Sequence, residues 1–224
     1  MIKADSLTKI YYSSNNSFTA LKEISFSIKK GEFLAIVGRS GSGKSTLLNI
    51  LGTLDKPTFG SVTVNNKRLD CLTKKQLDQY RNKEIGFVFQ SFHLEPSYSV
   101  YKNVEIPLLI ANIPAKERKE KILNALFKVD MLGKEKNYAA QLSGGEKQRV
   151  CIARALVNSP SIILADEPCG NLDSVNGKVV MELLKKLAQE GKTVVLVTHN
   201  MEDAKMADRI ITLKDGQVIS DKTL

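Results

Sequence analysis

Apolar residues along this chain fall into two kinds of stretch. Some are short continuous runs: Phe33-Leu34-Ala35-Ile36-Val37, Ile85-Gly86-Phe87-Val88-Phe89, Ile162-Ile163-Leu164-Ala165, Thr193-Val194-Val195-Leu196-Val197 and Arg209-Ile210-Ile211-Thr212-Leu213. Runs of this length without alternation suit strands covered on both faces of a parallel sheet. Others recur every three or four residues. From Ala115 to Val129, Ile122, Leu126 and Val129 share one side, and over 174–190 Val179, Val180, Leu183, Leu184 and Leu187 do the same. Both predict amphipathic helices. Further helices are predicted at 46–51 and about 144–158, and Thr73 with Gln76 forms a capping box opening a helix to about 82. Strands are predicted at 2–12, within 24–36 around the turn Lys29-Lys30-Gly31-Glu32, at 61–64 and at 218–219, the last after an Asp215-Gly216 hairpin signal. Ser13 to Ser17 reads as a polar loop. Residues 91–113 keep no clean period, because Pro96, Pro107 and Pro114 interrupt mixed apolar segments. The alternation of runs and helices predicts an α/β core, residues 1–90 and 159–224, with a helical subdomain over 91–158.

Between the run ending at Val37 and the helix starting at Thr46 lies Gly38-Arg39-Ser40-Gly41-Ser42-Gly43-Lys44-Ser45-Thr46. This is G-x-x-x-x-G-K-S in strand–loop–helix context, which predicts a nucleoside triphosphate site. Glycines at 38, 41 and 43 let successive N–H groups turn inward around an anion, and the helix start adds partial positive charge. Lys44 is then expected on the β- and γ-phosphates and Ser45 on Mg²⁺.

Ligand groups of open α/β sheets collect at the carboxyl ends of strands. Run 161–165 ends in Asp166-Glu167-Pro168. Asp166 is expected on the metal side and Glu167 is expected to polarise the attacking water. Pro168 is expected to hold Glu167 extended. His199 and Gln90 end two other strands; each alone is more often a structural residue than one that reaches phosphate. Tyr11 and Tyr12 offer an aromatic face that either stacks on a nucleobase or packs within a strand. Leu142-Ser143-Gly144-Gly145-Glu146 combines an N-cap with two glycines at a helix start, a second anion site on the same chain. Both sites serve one nucleotide only if the second comes from another copy.

Composition narrows the picture. The 224 residues, 42% hydrophobic, suffice for one domain with its own core. No apolar run approaches the roughly 18 residues of a membrane span. The N-terminal residues lack the pattern of a secretion signal. Cys71, Cys151 and Cys169 show no metal spacing and read as free thiols in a cytoplasmic setting. The formal charge of +9 comes from lysines scattered among acids, and only 6% of residues are aromatic. That argues against nucleic-acid binding.

These motifs together resemble the ATP-binding cassette (ABC) ATPases, in order along essentially the whole chain: the loop at 38–46, Gln90, Leu142 to Glu146 continuing as Lys147-Gln148-Arg149, Ile162 to Glu167, Asn171-Leu172-Asp173, and His199. The resemblance implies an α/β P-loop NTPase core with an antiparallel β subdomain and an inserted helical subdomain. It implies ATP and Mg²⁺ as cofactors, with Ser45, Gln90 and Asp166 on the metal side and Glu167, His199 and Gln90 catalytic. Tyr11 falls where the family stacks an aromatic on adenine. Ser143, Gly144, Gly145 and Glu146 would act in trans in an ATP-sandwiched homodimer, with Asp173 bridging the interface. A separate transmembrane permease, docking near 91–110, would hold the chain at the cytoplasmic face of the membrane. Gly170-Asn171-Leu172-Asp173-Ser174, Phe87-Val88-Phe89-Gln90 and Asn103 to Leu108 look like the branch serving lipoprotein release, macrolide export and antimicrobial-peptide resistance. Arg39, Glu146 and Cys169 depart from the common pattern, and Cys169 puts a thiol near the catalytic loop, which suggests sensitivity to oxidation. Other classes are a soluble ABC ATPase with a non-transport partner and a small-molecule phosphotransferase; the latter has no use for Leu142 to Glu146.

Overall fold

The computed structural model describes residues 1–13 and 16–224. The polar loop expected at Ser13 to Ser17 falls partly on Ser14 and Asn15, outside the described residues. Strands β1 (Ile2–Tyr12), β2 (Ser17–Ile28), β4 (Phe59–Val64) and β5 (Lys67–Arg68) form an antiparallel sheet in the order β2-β1-β4-β5. A second sheet takes β3 (Phe33–Val37), β6 (Ile85–Phe89), β7 (Ile162–Asp166), β8 (Thr193–Thr198), β9 (Arg209–Lys214) and β10 (Gln217–Thr223) in the order β10-β9-β3-β8-β7-β6. Its members run parallel except β10, which returns against β9 as a hairpin.

The continuous apolar runs now have their reason. Successive strand side chains point to opposite faces, and each face has its own core. Phe33, Ala35, Val37, Ile163, Ala165, Val194 and Leu196 enter a core shared with the helices of 100–156. Leu34, Ile36, Ile162, Leu164, Val195 and Val197 enter the other, shared with the antiparallel sheet and with α1 (Lys44–Leu51). A polar residue on either face would be stranded without water.

The helices are α2 (Lys74–Glu84), α3 (Val100–Ile110), α4 (Ala115–Lys128), α5 (Gly144–Leu156), α6 (Ser174–Gln189) and the single turn α7 (Met201–Ala204). The expected capping box of α2 is formed, with Thr73 N–H donating to Gln76 Oε1 over 2.8 Å. The short strand β5 was not expected, β4 and β10 are longer than predicted, and three further elements depart more from the sequence reading. Strand β2 begins at Ser17, well before 24, because Tyr12, Tyr11 and Ile10 pair with Ser17, Phe18 and Thr19. Helix α3 forms across Pro107, where only interrupted segments were expected. Val100, Val104 and Leu108 on its inner face are all fully buried. At roughly 1.5–3 kcal/mol each, they outweigh the about 3 kcal/mol that an interior proline costs. Helix α7 is too short to leave a periodic signal.

Register fixes the chemistry. Val37 lies opposite Thr198, Val197 opposite Asp166, and Asp166 opposite Phe89. The residues that follow these strands, Gly38, His199, Glu167 and Gln90, therefore emerge along one edge of the sheet.

Candidate active site

The loop leaving β3 wraps its own lysine. Lys44 is buried, and its Nζ donates to Gly38 O at 2.8 Å and Arg39 O at 3.1 Å. Gly41 (φ +78°) and Gly43 (φ +100°) make the turn in the left-handed region. Ser42 Oγ is buried with no hydrogen-bond partner among the described residues. A cleft of about 590 Å³ opens over this loop, lined by Ser40, Gly41, Gly43, Lys44, Ser45 and Thr46, with Glu167 and His199 opposite and Phe18 and Ala20 at one side. Lining glycine backbone, an ammonium and a helix start give the cleft the character of a phosphate site.

Across the cleft, Ser45 Oγ donates to Asp166 Oδ1 at 3.4 Å. Burial raises the Asp166 carboxyl above its ordinary range, and the neighbouring Glu167 charge adds to this against the Ser45 hydrogen bond. A half-buried carboxylate beside a hydroxyl, with the Lys44 charge also acting on it, suits a hard divalent cation. No cluster of three or more His, Cys, Asp or Glu suited to a metal occurs among the described residues.

Glu167 is the most constrained residue of the site. His199 Nδ1 stands 2.8 Å from its Oε1, Thr198 Oγ1 donates to its Oε2 at 3.3 Å, and its N–H donates to Val197 O at 2.9 Å. Its φ is +47°, so the expectation that Pro168 holds it extended is wrong. The hydrogen bonds over-determine a left-handed backbone that costs roughly 1–3 kcal/mol, and this turns the carboxylate into the cleft.

The remaining predicted residues assemble elsewhere. Gln90 does not line the cleft; its Nε2 donates to Asn171 Oδ1 at 3.3 Å while Asn171 Nδ2 donates to Gln90 O at 3.0 Å. Ser143 caps α5, accepting from Glu146 N at 3.3 Å, and Ser143 N donates to Glu146 Oε2 at 2.9 Å. Gly144 and Gly145 pack on the loop of Asp173: a Cβ on Gly145 would sit 2.0 Å from Asn176 Oδ1. Asp173 in turn caps α6, accepting from Asn176 N at 2.8 Å. The turn 143–146 and Asp173 thus form one surface, and neither lines the cleft of its own chain.

Tyr11 is half exposed rather than in the cleft wall; its hydroxyl donates to Asp55 Oδ2 at 2.8 Å, with Lys9 Nζ 4.8 Å from the ring centre. Its cross-strand partner Phe18 is the aromatic that lines the cleft. Sequence reasoning missed Phe18, although its pairing with Tyr11 across a short polar loop was the available signal. It named Gln148 within the motif but gave it no role; the residue is fully buried, and its Nε2 donates to Pro168 O at 2.8 Å and Phe89 O at 3.2 Å and so ties α5 to the acidic strand end. Burial pushes the Cys169 thiol up to about 12, so the thiolate needed for oxidation is scarce and the expected sensitivity is not supported.

Strand, glycine loop and helix in this order, with a lysine folded over the loop, define a phosphate-loop nucleotide-binding domain. A family model described as ABC transporter matches residues 21–170. The ABC transporter ATP-binding protein MJ0796 of Methanocaldococcus jannaschii is 48% identical over 100% of this chain and 97% of its own length. The macrolide export ATP-binding/permease protein MacB of Vibrio parahaemolyticus is 45% identical over 99% of this chain, which spans 34% of that relative's length. Two dimeric structures of MJ0796 cover all of this chain and 99% of theirs. One superposes with a TM-score of 0.92 at 47% identity, and the other, a post-hydrolysis state bound to ADP and Pi, with 0.91 at 45%. The chain belongs to the ABC transporter family, as an ATP-binding cassette with the ATPase fold of that family.

Proposed function

We propose that two copies of this chain close around two ATP molecules, hydrolyse them, and drive a separate membrane permease by closing and opening. The observation that carries this reading is the split site. The phosphate-loop cleft and the turn 143–146 belong to one chain, yet the turn does not line its own cleft. A second copy related by a two-fold axis would bring each turn to the other's cleft, and the similar MJ0796 cassette is dimeric with ADP and Pi.

In this reading the loop amides and Lys44 hold the phosphates, with the ammonium exchanging Gly38 and Arg39 carbonyls for phosphate oxygens. Ser45 and Asp166 would hold Mg²⁺, which would supply positive charge to neutralise the phosphates. Glu167 accepts hydrogen-bond donation from the attacking water, and His199 and Thr198 fix that carboxylate. Gln90, tethered to Asn171, links the metal side to the loop of Asp173. Phe18, which lines the cleft, supplies the aromatic edge for adenine, with Tyr11 paired to it across the strands. Residues 1–224 work as one cassette domain in which 91–158 is the helical part that carries Ser143 to Glu146.

Among the described residues no helix is long and apolar enough to cross a membrane. A groove of about 730 Å³ lined by Phe89, Ile106 and Ile110 together with Asp78, Arg81 and Arg154 suits a permease helix that is apolar on one face and charged at its margin. It includes the end of the 91–110 stretch, and docking there would hold the chain at the cytoplasmic face. The macrolide-export relatives favour an exporter. Glu167→Gln tests the mechanism: ATP binding should persist, turnover should stop, and an ATP-dependent dimer should accumulate on gel filtration. Hydrolysis at the parent rate removes the role given to Glu167.

A further inference from the structure

Helix α5 starts with a conflict of charge. A carboxylate at its third residue suits the helix, since Glu146 completes the cap with Ser143 and answers the positive end of the dipole. The same carboxylate opposes any polyphosphate brought to that helix start. Glu146 Oε2 is occupied by Ser143 N, and Oε1 is paired with Lys134 Nζ. Lys134 lies in the segment joining α4 to α5, where Asn137 N donates to its carbonyl at 3.0 Å and its own N donates to the carbonyl of buried Met131 at 3.4 Å. The backbone therefore delivers this lysine to Glu146.

We infer that Lys134 is a positioning residue for the second phosphate contact: its ammonium cancels the Glu146 charge and fixes that side chain on the cap, so that the Ser143 turn can receive a partner's triphosphate. The inference rests on the two-copy reading above. The strength of the pairing shows in Glu146 itself, whose carboxyl falls to about 2, chiefly through the Lys134 hydrogen bond and then the Ser143 N–H. Without Lys134 the capping hydrogen bonds remain, but each composite site carries a bare negative charge at the place where negative charge must dock.

The test uses the full chain carrying Glu167→Gln, with ATP and Mg²⁺, and reads the monomer–dimer equilibrium by sedimentation at low and high salt. Lys134→Ala should weaken ATP-dependent dimerisation by roughly tenfold, the scale of one uncompensated charge near a surface, and Lys134→Arg should stay near the parent. Adding Glu146→Gln to Lys134→Ala should recover most of the loss, because glutamine still accepts from Ser143 N without the charge. If Lys134→Ala dimerises like the parent, or if Glu146→Gln fails to recover it, Lys134 only pins its segment and the inference falls. Ser143→Arg, run in parallel, separates the two ideas: undisturbed dimerisation there removes the two-copy reading itself.

Discussion

Replacing Gly43 and Gly41 by alanine, one at a time, separates two costs that the phosphate loop imposes. Both residues sit at positive φ, +100° and +78°. Alanine in the left-handed region costs roughly 1–2 kcal/mol at either place. The surroundings differ. A Cβ on Gly43 would stand 2.6 Å from Ala20 O and 2.7 Å from Leu21 Cδ2, whereas on Gly41 it meets no described atom within 4 Å. Because a backbone carbonyl cannot swing aside, relieving the first contact adds roughly 1–3 kcal/mol. A domain of this size loses about 2–4 °C of Tm per kcal/mol. Gly41→Ala should therefore lower Tm by roughly 2–8 °C and Gly43→Ala by roughly 4–20 °C, the contact with Ala20 and Leu21 adding about 2–12 °C to the second. Calorimetry without nucleotide reads the loop alone, before any effect on phosphate enters. Equal shifts for the two variants, or an unchanged Tm for Gly43→Ala, would refute the reasoning that β2 is pressed against the loop.

Other outcomes follow from the same geometry. Lys44→Ala should abolish ATP binding and dimerisation together, measured by calorimetric titration and sedimentation; survival of either counts against its place on the phosphates. Asp166 has a folded pKa raised by burial, so protonation stabilises the fold: that stability is present below the unfolded carboxyl value and lost as pH rises through the folded one. Asp166→Asn should accordingly raise the metal-free Tm at pH 7 to 8, the gain should vanish below about pH 4, and turnover should be lost. Ile110→Asp, on an exposed apolar wall of the groove, should keep ATP-dependent dimerisation while abolishing recovery with a co-expressed permease in membrane fractions.

Much of this was legible in the chain itself, and the limits have physical causes. The five apolar runs announce strands because both faces of that sheet are covered, and the phosphate loop announces itself because only its glycines tolerate the turn. The acids at the end of β7 follow from strand direction. Helix α3 was hidden because Pro107 breaks the local rule, while the spacing of Val100, Val104 and Leu108 that overrides it has force only once α4 and α5 supply the other wall of the core. The early start of β2 depends on β1 across a ladder, which no window of local sequence contains. Glu167 was placed correctly at its strand end, but its left-handed backbone is imposed by Val197, Thr198 and His199, about thirty residues on. The Gln90–Asn171 exchange and the Lys134–Glu146 pair likewise join residues whose nearness only the fold creates.

The central claim is that one copy is catalytically incomplete. Specific ATPase activity followed down a dilution series, with molecular mass read by light scattering at each step, tests it directly. The account predicts that activity per chain falls as dimer gives way to monomer, with the rate tending to the square of chain concentration. Constant activity per chain in samples shown to be monomeric would contradict it.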